Sequence, residues 1–257
     1  MSERLDIRAC FMASPAPEAQ AALDELTKRY GQRGPEDAEV IVALGGDGFM
    51  LQTLHATDEL DMPVYGMNCG TIGFLMNEYS ADGLVGRLQA AEEAVINPLA
   101  MRAVDTAGEV HEALAINEVS LLRAGPQAAR LKILVDGRVR METLICDGAL
   151  LCTPAGSTAY NYSAHGPILP IGSGVLALTA VAAYRPRRWR GAILPKRAVV
   201  RFEVTDPVKR PVMAEGDGQS VRDVVSVEIR SEERIRHRIL FDPGHGLEER
   251  LIREQFI

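Results

Sequence analysis

Apolar residues along the chain fall first into alternating strand and helix periods, and then into strand periods almost alone. "LDIRACFMA" (5–13) reads as a strand. In "APEAQAALDELTKRYG" (16–31), Ala19, Ala22, Leu23, Leu26 and Tyr30 share one helical face, with Pro17 near the start and Gly31 past the end. "VIVAL" (40–44) is the continuous apolar run of a buried strand. A helix pattern follows from about Phe49, then a strand at "MPVYGMN" (62–68) and a helix at about 81–93. This alternation predicts an α/β domain, a parallel sheet with helices packed on it.

From about Pro98 the texture changes. "LAMRAVDTAGEVHEALAINEVSLL" holds two strand-like runs around a turn at Thr106–Gly108, and "LKILVDGRVRMETLI" places Asp136-Gly137 between alternating apolar runs, a two-residue hairpin signal. "RAVVRFEVT", "VVSVEIRS" and "HRILF" add further β-rich runs, while "LEERLIREQFI" at the end has helical spacing. The expected organisation is an α/β domain over 1–97, a β-rich domain over 98–240, and a tail over 241–257 that packs back on the body.

Composition narrows the class. With 257 residues, 47% hydrophobic and 25% charged, the chain is long enough for one large or two modest cores. A net charge of −7 gives no bulk attraction to nucleic acid or to an anionic membrane, so neither is expected as a partner. The longest apolar stretch, "ILPIGSGVLALTAVAAY", is broken by Pro170, Gly172, Ser173 and Gly174, and the first residues lack the apolar core of a secretory signal. Cys10, Cys69, Cys146 and Cys152 form no CxxC pair and no metal-type spacing, which reads as buried thiols in a reducing cytoplasm.

The chemistry gathers at "AEVIVALGGDGFMLQTLH" (38–55), where the most strand-like segment runs through Gly-Gly-Asp-Gly into a helix. This places Asp47 at the carboxyl edge of the sheet, where open α/β sheets bind ligands. Gly45, Gly46 and Gly48 clear side chains from that edge, and free amides at the helix start favour phosphate. An acid among phosphates has two uses: to take a proton from a hydroxyl, or to help hold Mg²⁺. The pattern suits phosphoryl transfer to an alcohol with Asp47 as base. The plainer alternative is a tight turn in which Asp47 caps its own helix. Neither GxxxxGK[ST] nor GxGxxG occurs, which argues against a P-loop and a standard Rossmann dehydrogenase.

Three more stretches follow in order: "NCGTIGFL" (68–75), "INEVSL" (116–121) and "DGALLCTPAGSTAYNYSAHGPIL" (147–169). Asn117 and Glu118 lie in a strand-like run where buried polar pairs are costly without partners. Together with GGDG these motifs resemble the NAD kinase family, which phosphorylates the adenosine ribose 2′-hydroxyl of NAD to make NADP. The resemblance spans about residues 40–220. GGDG alone is shared with lipid kinases and phosphofructokinases; TPAGSTAYNYSAHGP with an upstream NE is far more specific.

The resemblance implies a two-domain NAD kinase-like fold and a set of roles. Asp47 matches the family's proton acceptor, and Gly48 lets the ribose come close. Gly45, Gly46 and Gly48 face the phosphate donor. Asn117 and Glu118 match the pair that contacts the adenosine half of NAD, an amide reading a base edge and a carboxylate accepting from ribose hydroxyls. Asp147 matches an acid facing the nicotinamide amide. Thr158, Ala159, Tyr160 and Ser163 belong to the dinucleotide-binding run, with Asn161 and Tyr162 as its scaffold. Ala155, Ala182 and Gln219 line the site by position, and Phe74 walls the dinucleotide pocket. Plain alternatives stand beside these: Asn117 and Glu118 facing water, Asp147-Gly148 as a turn, Tyr160 as core, Gln219 as an exposed residue.

The chain departs from the family pattern at Ala155, where Thr is common, at His165 of "HGP", where Gly is usual, and at Phe49, where a small hydroxylated residue is frequent. "LTAVAAYRPRRWRGAILP" lacks the relatives' proline–histidine pattern and carries six basic residues from Arg185 to Arg197. Those bases suit either a polyanionic donor or a solvated loop. The implied partners are NAD and ATP, with inorganic polyphosphate open as a donor. Mg²⁺ or another divalent metal is the implied cofactor, its ligands not identified, and a homodimer or homotetramer the implied assembly. Two rival readings are a lipid kinase of the diacylglycerol or sphingosine type and a non-catalytic dinucleotide sensor.

Overall fold

The computed structural model describes residues 8–70 and 73–254. Thr71 and Ile72 of the NCGTIGFL stretch, and residues 5–7 of the first predicted strand, lie outside the described residues. The chain forms two compact units, one of residues up to Ile96 together with those from Ile235 onward, the other Asn97–Arg234.

The first unit is α/β. Its sheet runs in the order Ala9–Ala13, Val40–Gly45, Pro63–Asn68, His237–Phe241, Glu92–Ile96, with the short Asn77–Glu78 strand also beside Pro63–Asn68. All pairings are parallel except the last, Glu92–Ile96 against His237–Phe241. Val40–Gly45 is buried at every position, as expected of a central strand covered on both faces. The amphipathic Pro17–Tyr30 helix buries Ala19, Ala22 and Leu26, joining a core with Val42, Leu44, Tyr65 and Met67.

Two local expectations are corrected. The helix pattern at about 81–93 resolves into a shorter helix, Leu84–Ala90, and the edge strand Glu92–Ile96. "HRILF", assigned from sequence to the β-rich domain, is the His237–Phe241 strand of the first sheet, in parallel register with Pro63–Tyr65. The return is fixed by polar contacts: Asp242 accepts from Tyr65 Oη at 2.6 Å and from Arg87, and buried Asn77 donates to the carbonyls of Gly66 and Leu240. The terminal helix, Leu247–Glu254, belongs to this unit, with Leu251 buried.

The second unit is β-rich, two six-stranded antiparallel sheets. One contains the hairpin Ala129–Val135/Arg138–Cys146, whose Asp136-Gly137 turn has φ of 52° and 72°, the I′ geometry that matches strand twist. Ala129–Val135 alternates buried and half-buried positions, the period-2 sign of one face on a core. The other sheet runs Gly191–Pro195, Val175–Val181, Gly148–Cys152, Glu118–Arg123, Val212–Gly216, Gln219–Val221. Inward residues of both, among them Phe202, Ile133, Leu121, Leu151 and Leu178, make one core. Gly148–Cys152 is buried throughout, because Leu150 and Cys152 on its other face pack with Leu169 and Ala177.

Candidate active site

In the α/β unit the Val40–Gly45 strand ends at Gly46, and the helix Asp47–Ala56 begins at once. Gly46 occupies the cap position, and the helix has no side-chain cap hydrogen bond. Asp47 therefore does not cap its own helix. Its carboxylate instead accepts the backbone N–H of Phe74 (2.6 Å, Oδ2) and of Leu75 (2.8 Å, Oδ1). A Cβ on Gly73 would fall on Asp47 Oδ1, so this loop approaches the acid closely because it carries glycine there. The loop is held from its carbonyl side as well, where Arg250 Nη1 donates to Phe74 O (3.1 Å) and Met76 O (2.5 Å). Phe74, expected to wall the pocket, is half-buried beside Asp47. Gly46 and Gly48 have open space where a side chain would stand, whereas Gly45 is closely covered by Phe49, a Cβ there lying 2.9 Å from Phe49 Cβ. The bulky Phe49 is thus tied to the glycine at position 45.

In the β-rich unit, Asn117 and Glu118 stand where the chain passes from the Val110–Ala115 strand to Glu118–Arg123. The carbonyls of Ile116 and Asn117 accept from Thr153 Oγ1 (2.7 Å) and Thr153 N (3.0 Å). Gly156 then packs so closely that a Cβ would overlap the backbone of Asn117. The pair is neither a solvated edge nor loose.

Glu118 has Oε2 buried without a hydrogen-bond partner. Burial is the main reason that its carboxyl is pushed up to about 7; the nearby charges of Asp217 and Glu215 add to this, and the backbone N–H of Tyr160 opposes it. A buried acid with a vacant oxygen is the arrangement expected of a group that awaits a ligand donor. It also makes a stability prediction. The folded chain holds the Glu118 proton more tightly than the unfolded chain, whose ordinary value is 4.5. Its stabilising contribution is therefore complete below about 4.5 and is lost as pH rises through about 7. Glu118→Gln removes that titration, so in thermal unfolding without ligand the variant is expected to gain up to about 3 kcal/mol over the parent between pH 5 and pH 8. A gap that stays constant with pH would contradict this.

Tyr160 begins the short Tyr160–Ser163 helix and packs, half-buried, on the cluster of Leu150, Cys152, Leu169 and Ala177. Its hydroxyl pKa is raised by burial and by the charges of Glu118 and Asp147. Thr158 and Ala159 precede it, half-buried, and Ala155 is buried in the Ala155–Thr158 turn. Asn161 is fully buried and knits the run together: Nδ2 donates to the carbonyls of Ser157 (3.0 Å) and Pro167 (2.9 Å), and Oδ1 accepts from Thr179 (2.6 Å). Gly166 lets the chain close on it, since a Cβ there would meet Asn161 Oδ1, and His165 takes φ of 61° to make the turn. Tyr162 and Ser163 are exposed.

Asp147 is paired with Arg123 at 2.6 Å, both half-exposed. Ala182 is exposed and sits in left-handed backbone, φ 48°. Gln219 is exposed just past a tight turn. Of the six basic residues between Arg185 and Arg197, Lys196 is drawn to Asn97 and Glu233, and the five arginines are exposed. All four cysteines are free, and burial pushes the Cys146 and Cys152 thiols up to about 12, which leaves no thiolate nucleophile there at neutral pH. Among the described residues the grouping with metal-ligand spacing is Asp105, Glu109 and His111, on a hairpin of the β-rich unit. There Asp105 already accepts from the turn amides of Ala107 and Glu109 and contacts His111 at 2.9 Å.

Sequence reasoning missed Thr153, Gly156, Gly73 and Asp217. Each acts through contacts with distant segments, and the first two drew attention only as part of TPAGSTAY.

Family models decide the assignment. The ATP-NAD kinase N-terminal domain matches residues 8–86, and the ATP-NAD kinase C-terminal domain matches residues 116–231. The chain belongs to the NAD kinase family. It is accordingly a kinase, and the matches do not favour a lipid-kinase relationship. It is 74% identical to an NAD kinase of Cereibacter sphaeroides, over 96% of this chain and 97% of that one. It is 59% identical to an NAD kinase of Caulobacter vibrioides, over 97% and 96%. Two solved structures share the fold. Yeast NADH kinase complexed with NADH superposes with a TM-score of 0.79 at 20% identity, covering 99% of this chain and 88% of that chain. An NAD kinase from Archaeoglobus fulgidus in complex with ATP gives 0.71 at 23%, covering 93% and 95%. No helix among the described residues is long and apolar enough to cross a membrane.

Proposed function

We propose that the chain transfers the γ-phosphate of ATP to the adenosine ribose 2′-hydroxyl of NAD, giving NADP and ADP, with Asp47 as proton acceptor. The observation that carries this reading is the Asp47 carboxylate, withdrawn from helix capping and held by the amides of Phe74 and Leu75 at the glycine-lined end of the strand. A carboxylate has about four lone-pair sites, so two accepted amides leave capacity for a hydroxyl proton. The hydroxyl O–H bond breaks toward Asp47 as the new O–P bond forms and the bond to the ADP oxygen breaks. Gly46 and Gly48 leave room for the phosphates, Gly45 being covered by Phe49, and the helix start offers them N–H donors. A divalent metal such as Mg²⁺, when bound with the nucleotide, would offset phosphate charge.

The β-rich unit holds the dinucleotide. Asn117 and Glu118 contact its adenosine half, and Asp147 faces the nicotinamide amide. Thr158, Ala159, Tyr160 and Ser163 give polar and aromatic contacts on the Asn161 and Tyr162 scaffold. Ala155, Ala182 and Gln219 complete the lining there; in the α/β unit Phe74, beside Asp47, is the proposed dinucleotide contact. The setting proposed is the cytoplasm, consistent with four free thiols, and the assembly a homodimer or homotetramer. The test is an activity matrix of ATP and polyphosphate against NAD and NADH with Mg²⁺. NADP formation from ATP and NAD is expected; NADP no higher than background in that combination refutes the reading and returns the chain to the sensor alternative.

A further inference from the structure

We infer that Asp217 is a positioning residue that clamps the Asn117–Glu118 segment in its ligand-ready geometry. The inference rests on the reading of that pair as the adenosine contact. Asp217 and Gly218 form the two-residue turn between the Val212–Gly216 and Gln219–Val221 strands, with φ of 42° and 88°. Such a turn needs only residues tolerant of positive φ. Here the acid does more. Its carboxylate reaches back a hundred residues to accept the N–H of Ile116 (2.5 Å) and, at a longer 3.4 Å, that of Asn117.

Ile116 and Asn117 fall between two strands, and Ile116 is fully buried, so its amide needs a partner outside the ladders. Asp217 supplies it on the N–H side while Thr153 takes the carbonyls of the same two residues, at 2.7 and 3.0 Å. The peptide before Glu118 is therefore gripped on both edges. A carboxylate suits this because both oxygens accept and charge strengthens each bond.

Asp217 acts on Glu118 in a second way. The groups that face the Glu118 carboxylate are Asp217 and Glu215 from the hairpin, Tyr160 from the short helix, and Cys152 from the neighbouring strand. The two acids oppose its ionisation. Removing the Asp217 charge lets Glu118 ionise at lower pH.

Asp217→Asn is the test, because asparagine tolerates left-handed backbone and keeps the turn while losing one acceptor and the charge. Equilibrium titration with NAD, in the absence of ATP, is expected to show about tenfold weaker binding at pH 7.5. If Glu118 accepts from the ribose as a carboxylate, NAD affinity falls as it is protonated on the acid side, and in the variant that fall should move to lower pH. In turnover, KM for NAD should rise more than kcat falls, with KM for ATP unchanged. An Asp217→Asn protein that is merely less stable, with NAD affinity and pH profile as in the parent, overturns the proposal. Amide hydrogen exchange on the ligand-free parent decides it even if the variant does not fold. Slow exchange at Ile116 and Asn117 is required, and rapid exchange there overturns the clamp. Because neither titration nor exchange needs phosphoryl transfer, a parent protein that binds NAD but makes no NADP defeats the proposed activity and leaves the clamp to be judged by these two readouts.

Discussion

Asp47→Asn is expected to yield a folded protein that still binds NAD but turns over about 10²–10⁴ times more slowly, the usual range for loss of a general base. The amide side chain keeps the size of the acid and one acceptor oxygen. It cannot take a proton from a sugar hydroxyl. One of the two loop amides, Phe74 or Leu75, then faces an NH₂ group in place of an oxygen. That costs about 1–3 kcal/mol, so a modest fall in melting temperature should accompany the kinetic loss. The two effects separate cleanly in a titration with NAD, since the β-rich unit that carries the dinucleotide contacts is untouched. Near-normal kcat in this variant would remove Asp47 from the chemistry. Normal NAD affinity with abolished turnover is the signature of the proposed role.

Gly156→Ala should have the largest effect on dinucleotide binding of any single methyl addition in the β-rich unit. Gly156 does not have positive φ, so alanine fits its backbone angles. The obstacle is space alone. Its Cβ would overlap the carbonyl and Cα of Asn117, backbone atoms pinned by Thr153. Overpacking of this kind costs about 1–3 kcal/mol, or about 2–10 °C in melting temperature for a unit of this size. Relief requires the Asn117–Glu118 segment to move, and NAD affinity should drop tenfold or more. Gly86→Ala in the Leu84–Ala90 helix is the control: a Cβ there meets nothing within 4 Å, and helix propensity favours alanine by about 1 kcal/mol. If both variants bind NAD like the parent, the close approach at Gly156 has no functional weight.

Much of the fold was legible because its patterns are local. The Pro17–Tyr30 helix announces itself through Ala19, Ala22 and Leu26, and the Asp136-Gly137 hairpin through its turn chemistry. Where pairing partners are remote, the sequence misleads. Glu92 and Glu93 read as the end of a helix, yet they belong to a strand whose partner, His237–Phe241, lies more than a hundred residues onward. That partner reads as one more β-run, and nothing within "HRILF" says which sheet receives it. The site divides in the same way. Asp47, Asn117, Glu118 and the TPAGSTAY run stood out as polar residues in apolar settings and as motifs of a family. Asp217 carries no signal beyond an Asp-Gly pair of the kind found in turns, because its work is done on amides a hundred positions away. The Phe74 and Leu75 amides that hold Asp47 were likewise unreadable, since backbone donors carry no sequence signature.

The most direct measurement is a crystal structure of the protein with NAD bound, read for the distance between the Asp47 carboxylate and the adenosine ribose 2′-hydroxyl. A hydrogen bond of about 2.5–3.0 Å, or one bridging water, is expected, with the Phe74 and Leu75 amides still on the acid. A seated dinucleotide whose 2′-hydroxyl lies well beyond that reach, with no water between, would contradict it.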